Sequence, residues 1–256
     1  MSGRGTVQGG MRKLCWLGGL IAWLSVAGAT HTALTIYYLR HGEAGHNVVK
    51  QFVQSGTPTN QWPAYVGNPN MFTPTGEVQV RGVATNLLPY KFDLIAVSPL
   101  WRTRHTILPY LKVTARTAEI WPELTETAHF DPVRIAGPAP LVTGARPLQV
   151  PVDEQSVFKL RTDPAGCCTL SATNGIAAVG PAAETLRLLR VRFGTNDVAV
   201  LLVGHGTAGE TLIRYLLRNP DWTGGAQNAT LWMAQEKSDG SFELKMFNGT
   251  PYPPQR

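Results

Sequence analysis

Three short apolar runs in the chain each stop abruptly at a polar turn. The runs cover residues 34–39, 92–97 and 198–203, and they consist mainly of aliphatic, β-branched and aromatic side chains. Runs of this length and composition are typical of strands that are buried on both faces of a parallel sheet. Because such strands expose neither face to water, the rest of the chain must supply helices that cover both sides of the sheet.

Helical patterns alternate with these strands along the chain. They are predicted over residues 76–88, 181–193 and 207–217. With 43% apolar side chains among 256 residues, the chain can bury a sizeable core, which excludes a disordered, collagen-like or coiled-coil protein. We therefore predict an α/β fold, a three-layer α/β/α sandwich with a mostly parallel central sheet.

Two stretches lack a steady hydrophobic period. Residues 48–72 and 128–180 are rich in Pro, Gly, Thr and Ala. Long irregular stretches inside a domain are usually binding loops or lids, so we expect both to form a loop-rich lid over one edge of the sheet. Five apolar side chains of the second stretch hint at a partly apolar leaving group in the substrate: Phe130, Val133, Ile135, Leu141 and Phe158.

The N-terminal segment predicts a secretory signal peptide over residues 1–29. A basic pair precedes the uncharged residues 14–29, which end in the small residues Ala27-Gly-Ala29. Sixteen residues are short for a hydrocarbon core of about 30 Å, so we expect cleavage near Ala29 and no stable membrane span afterwards. The mature domain would be 30–256, in the secretory pathway or secreted. A cytoplasmic protein and one anchored by residues 14–29 are the alternatives.

Charge, cysteines and glycosylation motifs add weaker constraints. Half of the formal net charge of +6 lies in residues 1–29, so the domain does not need a nucleic-acid partner. Cys167 and Cys168 are adjacent, which leaves a vicinal disulfide or two free thiols. Asn228 and Asn248 begin N-glycosylation motifs, which predict a glycoprotein only if the chain enters a secretory pathway.

The polar turns that follow the three strands carry the chemistry. They read Arg40-His41-Gly42, Ser98-Pro99 and Gly204-His205-Gly206. Ligands of open α/β sheets bind at the carboxyl ends of the strands. We therefore expect these three turns to meet in one site.

Five motifs in this order resemble those of the histidine phosphatase superfamily, in its phosphoglycerate mutase-like branch. They are Arg-His-Gly-Glu-x-x-x-Asn at 40–47, Thr-Pro-Thr-Gly-x-x-Gln at 73–79, Ser-Pro-x-x-Arg at 98–102, Pro-x-Leu-x-Glu at 122–126 and Gly-His-Gly at 204–206. Each motif alone is weak evidence, but together and in order they are specific. The resemblance implies a phosphohistidine mechanism without a metal or cofactor.

The residue types suit this chemistry. A neutral imidazole is a good nucleophile, so His41 would attack phosphorus. Arg40 and Arg102 would grip the phosphoryl oxygens as planar forks, while His205 and Asn47 would donate further hydrogen bonds. The absence of a side chain at two glycines, Gly42 and Gly206, would let the backbone approach the phosphate closely.

Some role assignments stay open at this stage. Glu126 is the preferred general acid, protonated through burial and substrate charge, with Glu123 and Glu43 as rivals. Arg104 competes with Arg102, but the two would face different sides of a helix. Three further histidines, His46, His105 and His129, are expected at the surface or behind the site.

The predicted function is hydrolysis of a small phosphomonoester. Mutases of this branch have Glu-Arg-His-Tyr-Gly after the acid, whereas here Glu126 is followed by Thr-Ala-His-Phe. Phosphoryl transfer by a mutase and a catalytically silent binding protein on the same fold are the alternatives. The physiological substrate and the oligomeric state are open.

Overall fold

An eight-stranded sheet forms the centre of the protein. The computed structural model describes residues 33–126, 150–161 and 176–253. The strands are β1 (Leu34–Arg40), β2 (Leu94–Val97), β3 (Ala118–Ile120), β4 (Phe158–Leu160), β5 (Val198–Gly204), β6 (Leu231–Glu236), β7 (Phe242–Phe247) and β8 (Thr250–Pro251). Their order in the sheet is β4-β3-β2-β5-β1-β6-β7-β8.

The sheet is parallel in its core and antiparallel at one edge. Strands β4, β3, β2, β5 and β1 are all parallel. Strands β6, β7 and β8 continue the sheet in antiparallel pairs beside β1. The prediction of a mostly parallel central sheet is confirmed, and the predicted strands correspond to β1, β2 and β5. The antiparallel edge, in contrast, was not predicted.

Five helices are present in the described part of the chain. They are α1 (Val49–Gln54), α2 (Pro74–Asn86), α3 (Trp101–Thr114), α4 (Ile176–Phe193) and α5 (Gly206–Leu217). Thr73 caps α2, because its hydroxyl accepts a hydrogen bond from Gly76 N at 3.0 Å. Gly180 has a left-handed φ of 72° and interrupts α4, so a regular helix starts at Pro181, as the sequence predicts.

Alternate residues of the central strands pack on opposite faces of the sheet. On β5, Val200 and Leu202 belong to one hydrophobic core together with side chains of α4 and α5. Leu201 and Val203 belong to a second core with side chains of α2 and α3. The period of two along the strand therefore places one helix pair on each face, which confirms the α/β/α sandwich.

The two predicted lid stretches are more regular than expected where the structure describes them. Residues 48–72 contain helix α1 and a single helical turn at Thr59–Gln61. Within 128–180, residues 150–161 include strand β4 at the edge of the sheet. Phe158 was expected to shape an apolar lid, but it is 1% exposed and belongs to the core beneath α3. Its contribution is to packing because β4 extends the sheet there.

Several predictions fall outside the described residues. These include the signal peptide at 1–29, the pair Cys167 and Cys168, His129, and four of the apolar lid side chains: Phe130, Val133, Ile135 and Leu141. Within the described residues, no helix is long and apolar enough to cross a membrane. The secretory location stays a prediction.

The two cores predict that truncating a buried leucine lowers the free energy of unfolding far more than truncating an exposed one. Leu202 is fully buried in the centre of the sheet, whereas Leu88 is 51% exposed after α2. Leu202→Ala should lower the free energy of unfolding by about 2–5 kcal/mol, because it leaves a cavity between the sheet and α5. Leu88→Ala should change it by less than about 0.5 kcal/mol. Urea denaturation measures both, and similar losses would contradict the assignment of this core.

Candidate active site

The site lies at the carboxyl edge of the sheet, where β1 and β5 end side by side. Arg40 pairs with Gly204 in the parallel register, and His41 N donates to Gly204 O at 3.0 Å. The rings of His41 and His205, which follow these two residues, are consequently 5.2 Å apart between centroids. The expected meeting of the two histidine turns is therefore present.

His41 is held in one tautomer. Its ring is buried, and Nδ1 lies 2.7 Å from Gly42 O. A carbonyl oxygen can only accept, so the proton is on Nδ1 and the lone pair is on Nε2. Arg102 Nε donates to that lone pair at 3.3 Å. The Nε2 lone pair of His41 and the guanidinium group of Arg102 are therefore direct neighbours in the site.

The surroundings keep His41 neutral. Burial lowers the pKa of His41 well below its usual value of 6.5, while the hydrogen bond to Gly42 O opposes this shift. The positive charges of Arg102 and Arg40 lower the pKa further, and so does His46, whose ring centroid is 5.5 Å away. A depressed pKa keeps the lone pair available in weakly acidic solution.

Arg40 and Arg102 enter the site from different elements. Arg102 lies in the first turn of α3 and is 4% exposed. Arg40 ends β1, and its Nη1 donates to Ala226 O. A Cβ on Gly206 would lie 3.3 Å from the Arg40 guanidinium, so this glycine leaves the space through which Arg40 passes. A glycine at residue 206 therefore makes room for Arg40, in addition to the predicted close approach of its backbone to phosphate.

His205 is held by side chains from three other segments. Its Nε2 lies 2.9 Å from Ser98 Oγ, which follows β2. Its Nδ1 lies 3.7 Å from Glu126 Oε2. The Tyr38 hydroxyl binds both the backbone N and the backbone O of His205, at 2.8 and 3.0 Å. Tyr38 was not singled out from the sequence, because it is one apolar position among several in a buried strand.

Glu126 is the carboxylate that faces the two histidines. Its side chain is 15% exposed, and Oε1 is buried without a hydrogen-bond partner among the described residues. An unpaired buried carboxylate oxygen is costly unless a ligand satisfies it. Its negative charge also acts on both Arg40 and Arg102. Glu126 therefore lies where a proton could be passed to a bound phosphate ester.

Glu123 and Arg104, the alternatives to Glu126 and Arg102, form ion pairs with other residues. Glu123 forms a buried ion pair with Arg161, with two contacts of 2.7 and 2.9 Å. Arg104 Nε donates to Glu154 Oε2 at 2.6 Å, and Glu154 also contacts His105 at 3.0 Å. Both partners, Arg161 and Glu154, come from residues 150–161. This segment therefore supplies the ion-pair partners of both Glu123 and Arg104.

Glu43, Gly42 and Asn47 serve mainly to hold the loop after His41. Glu43 Oε1 accepts from Thr73 Oγ1 at 2.6 Å. Gly42 N donates to Thr106 Oγ1 at 2.9 Å, and a Cβ on Gly42 would lie 2.8 Å from Val80 Cγ2. Its lack of a side chain is therefore required by packing against α2.

Asn47 is placed to hold the loop rather than to point freely into the site. Its Oδ1 accepts from Ala44 N at 3.0 Å, which leaves Nδ2 3.2 Å from His46 Nε2. The predicted hydrogen bond from Asn47 to a phosphate stays a prediction.

Sequence reasoning missed the loop before β6, which holds the end of β1. Asn228 Nδ2 donates to His41 O at 3.0 Å, and Ala229 N donates to the carbonyls of Arg40 and His41. Asn248 in turn secures this loop, because its Oδ1 accepts from Gln227 N at 2.9 Å and its Nδ2 donates to Gly225 O at 3.0 Å.

The same contacts give the two asparagines a structural use. A glycan would be attached at Nδ2, which in both residues donates a hydrogen bond inside the protein. The two glycosylation motifs are therefore no support for a glycoprotein. The Asn-x-Thr motifs draw attention to both residues but give no indication of these hydrogen bonds.

No metal centre is evident in 33–126, 150–161 and 176–253, where no group of three or more His, Cys, Asp or Glu side chains could hold an ion. The positive charge near His41 comes instead from Arg40 and Arg102. Independence from metals stays a prediction.

A comparison with protein-family models gives a match over part of the chain. Residues 36–131 match the model of the histidine phosphatase superfamily, branch 1. The resemblance that the motifs indicate is confirmed over this range, which includes His41, Arg102 and Glu126. His205 lies beyond the match, and the register of β1 and β5 brings it to the site. A comparison with curated protein sequences found no significant match.

Solved structures with the same fold are distant in sequence. A mycobacterial glucosyl-3-phosphoglycerate phosphatase in complex with VO3 is 18% identical with a TM-score of 0.51, and the alignment covers 84% of this chain and 99% of that one. The α-ribazole phosphatase of Shigella flexneri is 18% identical with a TM-score of 0.51, covering 87% and 100%. A putative α-ribazole-5′-P phosphatase of Escherichia coli K-12 is 17% identical with a TM-score of 0.51, covering 84% and 96%. These similarities establish the fold.

The depressed pKa of His41 predicts a pH-dependent loss of stability. Below pH 6.5 the unfolded chain takes up a proton on this histidine that the folded protein resists, so stability falls on acidification by up to about 1.4 kcal/mol per pH unit. His41→Gln lacks this contribution, so its stability should fall less between pH 7.5 and pH 5. Urea denaturation of both proteins at the two pH values measures this, and parallel losses would contradict a depressed pKa.

Proposed function

We propose that this protein is a phosphomonoester hydrolase that forms a phosphohistidine on His41. The observation that carries the proposal is the fixed tautomer of His41, whose Nε2 lone pair faces Arg102 Nε at 3.3 Å. An unprotonated Nε2 can attack phosphorus, and a guanidinium group beside it can hold the oxygens of the same phosphoryl group.

In the first half-reaction the site binds and stabilises the transferred group. Arg40 and Arg102 neutralise the negative charge that spreads over the phosphoryl oxygens. His205 lies beside His41 and can donate a hydrogen bond to the same group. A bond forms between His41 Nε2 and phosphorus as the bond from phosphorus to the ester oxygen breaks.

Glu126 supplies the proton for the departing alkoxide. In the second half-reaction it takes a proton from water as the water oxygen attacks phosphorus and the bond to His41 breaks, which releases inorganic phosphate. Its place beside His205 Nδ1, and its Oε1 without a hydrogen-bond partner in the described part of the chain, support this role. Two guanidinium groups supply the positive charge, so we propose that the reaction needs no metal.

The substrate class that we propose is a small phosphorylated molecule. The superfamily match and the three phosphatases that share the fold support phosphate ester hydrolysis over a purely structural role. The alternative of mutase activity requires transfer of the phosphoryl group to a second hydroxyl. Phosphate release without a bisphosphorylated primer distinguishes the two.

Replacement of the nucleophile tests the mechanism directly. His41→Ala should lower the release of phosphate from p-nitrophenyl phosphate by at least about a thousandfold, because no other group can form the covalent intermediate. The matched control is His105→Ala, since His105 contacts Glu154 and should retain nearly the full rate. The assay contains EDTA and no primer. A fully active His41→Ala protein would contradict the proposal.

Glu126 can be tested by varying the leaving group. Glu126→Gln should lower the hydrolysis of an alkyl phosphate by about 100-fold or more, because an alkoxide needs a proton to depart. The pre-steady-state burst of p-nitrophenol, which reports formation of the phosphoenzyme alone, should be far less affected, since this leaving group is already a weak base. Glu43→Gln is the control and should show no such dependence. If Glu43→Gln shows it instead, the acid has been assigned to the wrong carboxylate.

A further inference from the structure

Tyr38 makes an unusual pair of contacts with the second histidine of the site. Its hydroxyl accepts a hydrogen bond from His205 N at 2.8 Å and donates one to His205 O at 3.0 Å. One side chain on β1 therefore binds both the amide N–H and the carbonyl oxygen of His205. Tyr38 is 1% exposed, so water does not compete for either contact.

Two glycines near His205 leave the space that Tyr38 occupies. A Cβ on Gly204 would lie 2.1 Å from the Tyr38 hydroxyl oxygen, and a Cβ on Gly209 would lie 2.6 Å from Tyr38 Cε1. Contacts this short exclude any side chain at either position unless the tyrosine moves. The second histidine turn and the start of α5 are thus shaped around this ring.

The ring of Tyr38 cannot easily move away. It stacks on Trp232 of β6 with centroids 5.0 Å apart and an interplanar angle of 5°. Burial strongly raises the pKa of Tyr38, so the hydroxyl keeps its proton and acts as donor and acceptor throughout the working pH range. The contact is therefore rigid and independent of pH.

We infer that Tyr38 is a positioning residue, which fixes the His205 imidazole against the phosphoryl group by anchoring the His205 backbone from β1. Ser98 Oγ then defines the rotation of the ring through its 2.9 Å contact with Nε2. This inference rests on the proposed function. Tyr38 has no contact of its own with the reacting atoms, and it acts through His205.

Tyr38→Phe removes the hydroxyl and keeps the ring. A displacement of a reacting group by about 1 Å can cost a hundredfold in rate, so we expect kcat/KM to fall by at least about tenfold. The affinity for inorganic phosphate, measured by calorimetry, should also fall. The matched control is Tyr37→Phe, since no hydrogen bond of the Tyr37 hydroxyl is found within the described residues. Tyr37→Phe should behave like the native protein in both measurements.

A double-mutant cycle separates positioning from general stability. In a His205→Ala background, Tyr38→Phe should have no further effect on kcat/KM, because the group it positions is gone. Its effect on thermal stability should persist in that background. If the fold-loss in kcat/KM is the same with and without His205, or if Tyr38→Phe keeps the native rate and phosphate affinity, the inference is wrong.

Gly209→Ala gives a second, independent test. The added methyl group pushes the ring from the other side, so it should lower kcat/KM and phosphate affinity in the same direction as Tyr38→Phe. If the native protein hydrolyses phosphate esters but neither variant is impaired, only the role of Tyr38 fails. If the native protein releases no phosphate, the proposed function fails, and the phosphate affinities still decide the role of Tyr38.

Discussion

The parallel pairing of β1 with β5 is the constraint on which the site depends. Arg40 lies opposite Gly204 in this register, and both strands end at the same edge of the sheet. A shift by two residues would separate His41 from His205 by a further 7 Å or so, beyond reach of one phosphoryl group. A shift by one residue would in addition turn each residue of β5 toward the wrong one of the two cores, so the apolar packing disfavours it. The apolar packing of the sheet and the geometry of the site are thus set together.

Near this edge of the sheet, two arginines lie close to His41, whereas two others form buried ion pairs with carboxylates. Arg40 and Arg102 stay near His41, where burial lowers the pKa of the imidazole and their positive charge lowers it further. Arg104 and Arg161 are bound to buried carboxylates, Glu154 and Glu123 respectively, at contacts of 2.6 and 2.7 Å. Removing one partner of such a buried pair leaves an uncompensated charge, so these pairs are needed once they are formed. Residues 150–161 thereby help to define which arginines and which glutamate remain near His41.

Much of the fold was predictable, because strands buried on both faces give uninterrupted apolar runs. The antiparallel strands β6–β8 were not predicted, since edge strands with one exposed side carry a weaker, alternating pattern. The partners of His41 and Arg40 in the loop before β6 were likewise missed. Asn228 and Ala226 reach them through hydrogen bonds that span more than 180 residues, and no local pattern in the sequence reports such contacts.

By itself, the sequence determined the class of fold, the sheet edge that carries the site and the chemistry available there, because strand ends and residue types are local properties. Tertiary structure decided the tautomer of His41, the choice of Glu126 over Glu123 as the carboxylate beside His205, and the space that Gly204 leaves for Tyr38. These features depend on distances between atoms far apart in the chain, which exist only after the sheet and both of its cores have formed.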